Sequence, residues 1–240
     1  MNFKRFITGA MAFIGLATAT PAIAEPILLD SGSIGDSFTI DFDGFVNGGP
    51  SLDGLNSSLT LTLTGIQNGI YTFDYSLTNT GASGDGITSR VSGFAFNTDP
   101  DIDAATSTGT YRFTNTDSNY PNGIGNVDVC FQAQSTGSCA GGGSGGVYDG
   151  ATGTGTLSLS FGTAPASLTL DDFFVRYQSI SGIDGVTSAS GRQITSTSSS
   201  GGNDVPEPGM VLLFGMAVLA IAFGARGRRQ AATKVRVAYA

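Results

Sequence analysis

Polar and apolar residues alternate through much of the middle of the chain, the two-residue period of strands with one buried face. Residues 37–43 set Phe38, Ile40 and Phe42 against Thr39 and Asp41. Residues 59–64 alternate Leu59, Leu61 and Leu63 with Thr60, Thr62 and Thr64, and residues 71–78 alternate Tyr71, Phe73, Tyr75 and Leu77 with Thr72, Asp74, Ser76 and Thr78. Between the last two runs stands Asn68-Gly69, a pair that accepts the positive φ of a type I′ turn. The pattern therefore predicts an antiparallel hairpin with its leucine and aromatic faces together. Further strands are predicted at 90–97, 110–114, 126–133, 154–161 and 167–178. About eight strands separated by Gly, Asn and Asp turns, with no helical period between them, predict an all-β fold, an antiparallel β-sandwich or jelly roll. They exclude a parallel α/β fold.

Both ends of the chain break the alternation. Residues 1–24 have a basic start at Lys4 and Arg5, an apolar stretch over 6–19, and Ala22-Ile23-Ala24 before Glu25, the small-residue pattern of a signal peptide cut between Ala24 and Glu25. At the other end, Val205-Pro206-Glu207-Pro208-Gly209 precedes an uncharged apolar run over 210–225, followed by Arg226, Arg228 and Arg229. Proline lacks the amide a helix interior needs, so the triplet holds Glu207 on extended backbone and the helix begins after it. A helix over 210–225 is about 24 Å long, just enough to cross a bilayer when arginines snorkel at its end. By the positive-inside rule the arginines keep that end cytoplasmic. The predicted division is a signal peptide (1–24), a β-sandwich ectodomain (25–195), a Ser/Gly-rich linker (196–204), the triplet with its transmembrane helix (205–230) and a cytoplasmic tail (231–240).

The triplet, helix and arginine cluster, in that order, resemble the PEP-CTERM sorting signal of Gram-negative bacteria. The resemblance implies that Val205, Pro206, Glu207 and Pro208 are read by an exosortase, and that Arg226, Arg228 and Arg229 retain the precursor at the cytoplasmic face. It implies an exported protein with the secretion machinery as partner. Such a protein sits in the inner membrane as a precursor and then in the cell envelope, at the cell surface or outside the cell. Proteins carrying this signal are often associated with exopolysaccharide and biofilm matrix, which makes exopolysaccharide an implied partner.

Charge sharpens the picture of the exported part. All nineteen Asp and Glu residues lie within 25–207, against Arg90, Arg112, Arg176 and Arg192, a formal balance of about −15. Such a surface repels polyanions, so nucleic acid is excluded as a partner.

Candidate chemistry is sparse. The chain has no histidine, which removes Ser-His-Asp and Cys-His sites. Many aspartates sit in Gly- and Asn-rich stretches, as in Asp43-Gly44 and Asp149-Gly150, where a turn with local backbone bonding explains them. No tryptophan is present to stack on sugars. Cys130 and Cys139 are the only cysteines, and in an exported chain this close pair predicts a disulfide and no metal or redox site. The segment around them, with residues 169–178, resembles the subgroup of PEP-CTERM proteins called the cistern family. Asp99, Asp101 and Asp103 repeat at every second residue and form a weak Ca²⁺ candidate, against a solvated turn as the plainer reading; no other cofactor is expected. The chain therefore reads as an exported, non-enzymatic surface or extracellular-matrix protein, processed by an exosortase. The alternative is a carbohydrate-binding or glycan-hydrolysing ectodomain on a plain C-terminal membrane anchor.

Overall fold

The structure, a computed structural model, describes residues 25–81 and 86–199. The predicted signal peptide, sorting triplet, apolar run and arginine cluster lie outside the described residues. Among the described residues no helix is long and apolar enough to cross a membrane.

Twelve antiparallel strands form one sheet: β1 (Ile27–Leu29), β2 (Ser37–Phe45), β3 (Ser51–Gln67), β4 (Ile70–Asn79), β5 (Thr88–Asp99), β6 (Ala104–Ser107), β7 (Phe113–Tyr120), β8 (Gly125–Gln132), β9 (Val147–Tyr148), β10 (Thr152–Ser160), β11 (Leu168–Ser181) and β12 (Ser188–Ser199). The order across the sheet is β6-β10-β4-β3-β2-β12-β11-β5-β8-β7, with β1 added to β11 and β9 to β5. The two ends of that order meet, because Thr114 Oγ1 on β7 donates to the carbonyl of Ala105 on β6 at 3.0 Å. The sheet is thus rolled nearly into a barrel, which covers its edges.

The predicted hairpin is present. Asn68 and Gly69 take φ of 52° and 76°, and β3 pairs with β4 so that Leu59 faces Leu77, Leu61 faces Tyr75 and Leu63 faces Phe73. These alternate residues enter one core with Phe38, Ile40 and Phe42. Its aromatic centre is Phe94, stacked on Phe131 at 4.9 Å between ring centres and edge-on to Tyr111 at 5.4 Å. A second small cluster of Ala95, Tyr120, Val127, Cys130 and Cys139 covers the other face of β5 and β8. Strand β5 is therefore buried on both faces over most of its length.

Three predicted boundaries change. Residues 110–114 do not make one strand: Gly109–Tyr111 form a 3₁₀ turn and β7 begins at Phe113. The cause is Tyr111, whose ring is fully buried, whose amide donates to Tyr75 Oη at 2.8 Å and whose hydroxyl donates to the Val91 carbonyl at 3.0 Å. The Asp43-Gly44 pair lies inside β2, at a bulge against β3, and not in a turn. Finally, 196–199, assigned by sequence to the linker, are the last residues of β12, with Ser196 opposite Ile40 and Ser199 opposite Ser37.

Candidate functional site

The outward residues of β12, β2, β3, β4 and β10 fall in register across the sheet. One row reads Thr195, Asp41, Ser58, Thr78, Thr152. The next reads Thr197, Thr39, Thr60, Ser76, Thr154, and the third Ser199, Ser37, Thr62, Asp74, Thr156. Strand geometry spaces such positions about 4.8 Å across the sheet and about 6.8 Å along it. The result is a face of short hydroxyl side chains with two carboxylates and no cation. Neighbouring hydroxyls bond to one another, Ser37 to Thr62 at 2.8 Å, Thr39 to Thr60 at 2.9 Å and Thr78 to Thr152 at 2.8 Å, while Thr195 Oγ1 donates to Asp41 Oδ2 at 3.1 Å. These contacts hold the array in place, and a hydroxyl still has capacity to accept or donate outward. The Leu-Thr alternation in the sequence marks Thr60, Thr62 and Thr64 as outward. The rows themselves arise from pairing across five strands, two of which, β10 and β12, have no sequence signal for their partners.

A second cluster is acidic. Asp101, Asp117 and Asp128 line a cavity of about 300 Å³ together with Ile102 and Thr116. Nearby, burial pushes the Asp171 carboxyl above its ordinary range, and the neighbouring Asp172, Asp128 and Asp99 carboxylates push the same way. The predicted calcium set is not gathered here as drawn from the sequence. Asp99 ends β5, Asp101 faces the cavity, and the Asp103 carboxylate instead accepts from the Gly162 amide. Among the described residues, no three acidic or sulfur side chains are grouped so as to hold a metal. Asp128 also has structural partners, since its Oδ2 accepts from the Thr98 amide at 2.7 Å. Asp149, from the Asp-Gly turns, accepts from the Ser89 amide at 2.9 Å and from Asn79 Nδ2 at 3.1 Å.

The third feature is the disulfide between Cys130 and Cys139, as the sequence predicts. The glycine-rich loop that follows Cys139 wraps two buried guanidinium groups. Arg90 donates to the carbonyls of Gly142, Ser144 and Gly145 and to Gln178 Oε1; Arg176 donates to the carbonyls of Ala140 and Ala189. Burial pulls the Arg176 pKa down from its usual value. The sequence shows the glycine run but gives no sign that the loop's carbonyls serve two arginines, because those contacts span 36 to 55 positions of chain.

Of the residues assigned to sorting, only Glu25 falls in the described part. It is exposed just ahead of β1, and lines a groove with Pro26, Leu28 and residues 196–198 of β12. Ala22, Ala24, Val205, Pro206, Glu207, Pro208, Arg226, Arg228 and Arg229 lie outside it. Residues 204–229 match the PEP-CTERM protein-sorting motif. The PEP-CTERM motif marks an exported protein, anchored in a membrane until an exosortase processes it. The match covers the tail and not the barrel. Neither the curated proteins nor the solved structures provided a match to the chain.

Proposed function

We propose that the barrel is a non-enzymatic component of the cell surface or extracellular matrix, delivered by its PEP-CTERM tail and associated there with exopolysaccharide, in the manner of the cistern subgroup. The observation that carries this reading is the hydroxyl face. A neutral polysaccharide presents hydroxyls at short repeats, and a fixed array of Ser and Thr, with Asp41 and Asp74 as acceptors, can exchange hydrogen bonds with it. Its breadth over five strands suits a polymer more than a small molecule, which a concave pocket would hold. The strongly acidic remainder of the surface disfavours acidic polymers, so the expected glycan is uncharged. No metal is required by this reading. Signal-peptide removal before Glu25 and a final place outside the cell complete it.

A hydrolytic ectodomain is the second reading, and the raised Asp171 carboxyl is what favours it, since a glycosidase needs one carboxyl that keeps its proton beside one that does not. Asp171 is not among the residues lining the acidic cavity, however, which leaves the pair without a shared substrate site. The deciding experiment is co-sedimentation of the mature protein with extracellular polysaccharide from the producing cells, read alongside release of reducing sugar. Binding that falls several-fold in Thr39→Lys/Thr60→Lys, with no sugar released, is the expected result. Sugar release that disappears in Asp171→Asn would establish the hydrolase instead.

A further inference from the structure

Four large hydrophobic side chains stand exposed among the described residues: Leu28, Ile34, Ile70 and Tyr148, at 65, 47, 41 and 61% exposure. Tyr148 sits where β4 finishes, next to the contact in which the Gly150 amide donates to the Asn79 carbonyl. The other three are at the opposite end of the barrel. Ile70 opens β4, whose far end is Asn79. Ile34 is brought beside the same hairpin by the Gly35 amide, which donates to the Leu63 carbonyl at 2.8 Å. Ile34, Ile66 and Ile70 share an open groove of about 550 Å³ whose other walls include Thr64, Gln67 and Thr72, with no ionisable side chain among them. In a domain whose residues 25–199 carry seventeen acidic side chains against four arginines, an apolar groove with no ionisable lining residue is the exception.

The path of the chain relates this rim to the tail. Both β12 and β3 are antiparallel to β2, so they run in the same direction. Ser199 ends β12 level with Ser37 and Thr62, and β3 continues past Thr62 to the hairpin that carries Ile66 and Ile70. Leu28 flanks the same exit, in the groove shared with residues 196–198. The chain therefore leaves the barrel toward its apolar end. From there to the apolar run at 210 are ten residues, at most about 35 Å when fully extended.

We propose that this end is a lipid-contacting rim, on which Ile34, Ile66 and Ile70 seat in the headgroup and acyl boundary of the bilayer while the precursor is still anchored. The inference rests on the anchoring that the PEP-CTERM motif implies. A tether of that length keeps the bilayer at high effective concentration near the rim, so a contact too small to bind a free membrane suffices. Release of the tail removes that advantage, and the acidic surface then favours departure from anionic lipid. The rim is thus a contact of the precursor alone.

The chain contains no tryptophan, so one substitution gives a single fluorescent reporter. Full-length precursor with Ile70→Trp, Ile34→Trp or Tyr148→Trp is inserted into phosphatidylcholine–phosphatidylethanolamine vesicles with or without brominated acyl chains. Flotation of protein with vesicles reports anchoring, and quenching by the brominated lipid reports contact of the rim. The expected result is flotation of all three, with emission from Ile70→Trp and Ile34→Trp shifted to shorter wavelength and quenched roughly twofold, and neither change in Tyr148→Trp. Flotation without quenching at the rim overturns the inference and leaves anchoring intact. A blue shift that grows with protein density but ignores brominated lipid also overturns it, in favour of contact between two copies. Loss of flotation removes the anchor and the inference together.

Discussion

Two buried tyrosines show how differently one hydroxyl can act. Tyr177 is fully buried and its Oη lies 2.7 Å from Ser57 Oγ, which is itself buried. Tyr120 is equally enclosed, but its Oη has no hydrogen-bond partner among the described residues. Removing one member of a buried pair strands the other, at a cost of about 1–3 kcal/mol, whereas removing an unpaired hydroxyl takes away a desolvation penalty. Tyr177→Phe should thus lower unfolding stability by about 1–3 kcal/mol, and Tyr120→Phe should leave it unchanged or raise it by up to about 1 kcal/mol, both read from urea unfolding. Equal losses in the two variants would show that ring packing, and not the hydroxyl, decides. A second prediction concerns Asp171. Its carboxyl is pushed above the ordinary value of 3.8 by burial and by Asp172, Asp128 and Asp99. A folded-state pKa raised in this way means that the folded protein holds the proton more tightly than the unfolded chain. The contribution to stability is full below the ordinary value and is lost as pH rises through the raised one. Asp171→Asn should therefore melt at a higher temperature than wild type at pH 7, with the difference closing as pH falls toward 3.8. A variant that melts lower at pH 7 would mean the carboxylate has a favourable partner.

Whether a strand could be read from the sequence depended on what its side chains do. β2, β3 and β4 each bury one face against the core, so their Phe, Leu and Tyr residues alternate visibly with Thr, Ser and Asp. The outer half of β12 buries almost nothing: Thr195 and Thr197 to Ser199 are exposed, and the strand is held by backbone pairing to β2. A Ser/Thr run with no apolar partner residues carries the composition of a linker, and composition alone cannot register a backbone ladder that forms against a distant strand. β6 and β9 are short additions at edges and leave no pattern at all. The same limit hid the hydroxyl rows and the carbonyl cage, while the disulfide was legible because two cysteines in an exported chain leave one pairing. That bond fixes the start of the loop whose carbonyls surround Arg90 and Arg176. On chain entropy alone, Cys130→Ala/Cys139→Ala costs about 2–3 kcal/mol. Freeing the loop also loosens the partners of two buried guanidinium groups, so the measured loss should exceed that figure, and Arg90→Met should recover part of the excess in the cysteine-free background. Additive effects of the two changes would show that loop and disulfide are independent.

At the scale of the whole molecule, the end of β12 sets the working length of the tail. With the strand paired as far as Ser199, only six residues separate the barrel from Pro206, a reach of at most about 20 Å. A processing enzyme that reads the triplet needs enough free chain between it and the folded barrel to bring the triplet into its site. Deleting 200–203 leaves Asp204 and Val205 between the two, about 7 Å of chain, and should cause a membrane-bound precursor to accumulate. Replacing the deleted residues by a Gly-Ser stretch of the same length should restore processing, since length and not side-chain identity is what the tether supplies. Pro206→Ala/Pro208→Ala should also leave the precursor uncut, but for a different reason: alanine, unlike proline, permits helix at Glu207, and a longer Gly-Ser tether will not rescue it. Arg226→Gln/Arg228→Gln/Arg229→Gln keeps the triplet and removes the basic cluster to which the sequence assigns cytoplasmic retention, so it should give mis-sorted or prematurely released protein. Intact mass of the protein from membrane and medium separates the three outcomes. Maturation of the double-alanine variant to the wild-type mass would show that the triplet is not what the enzyme reads, and a plain C-terminal anchor would then account for the tail.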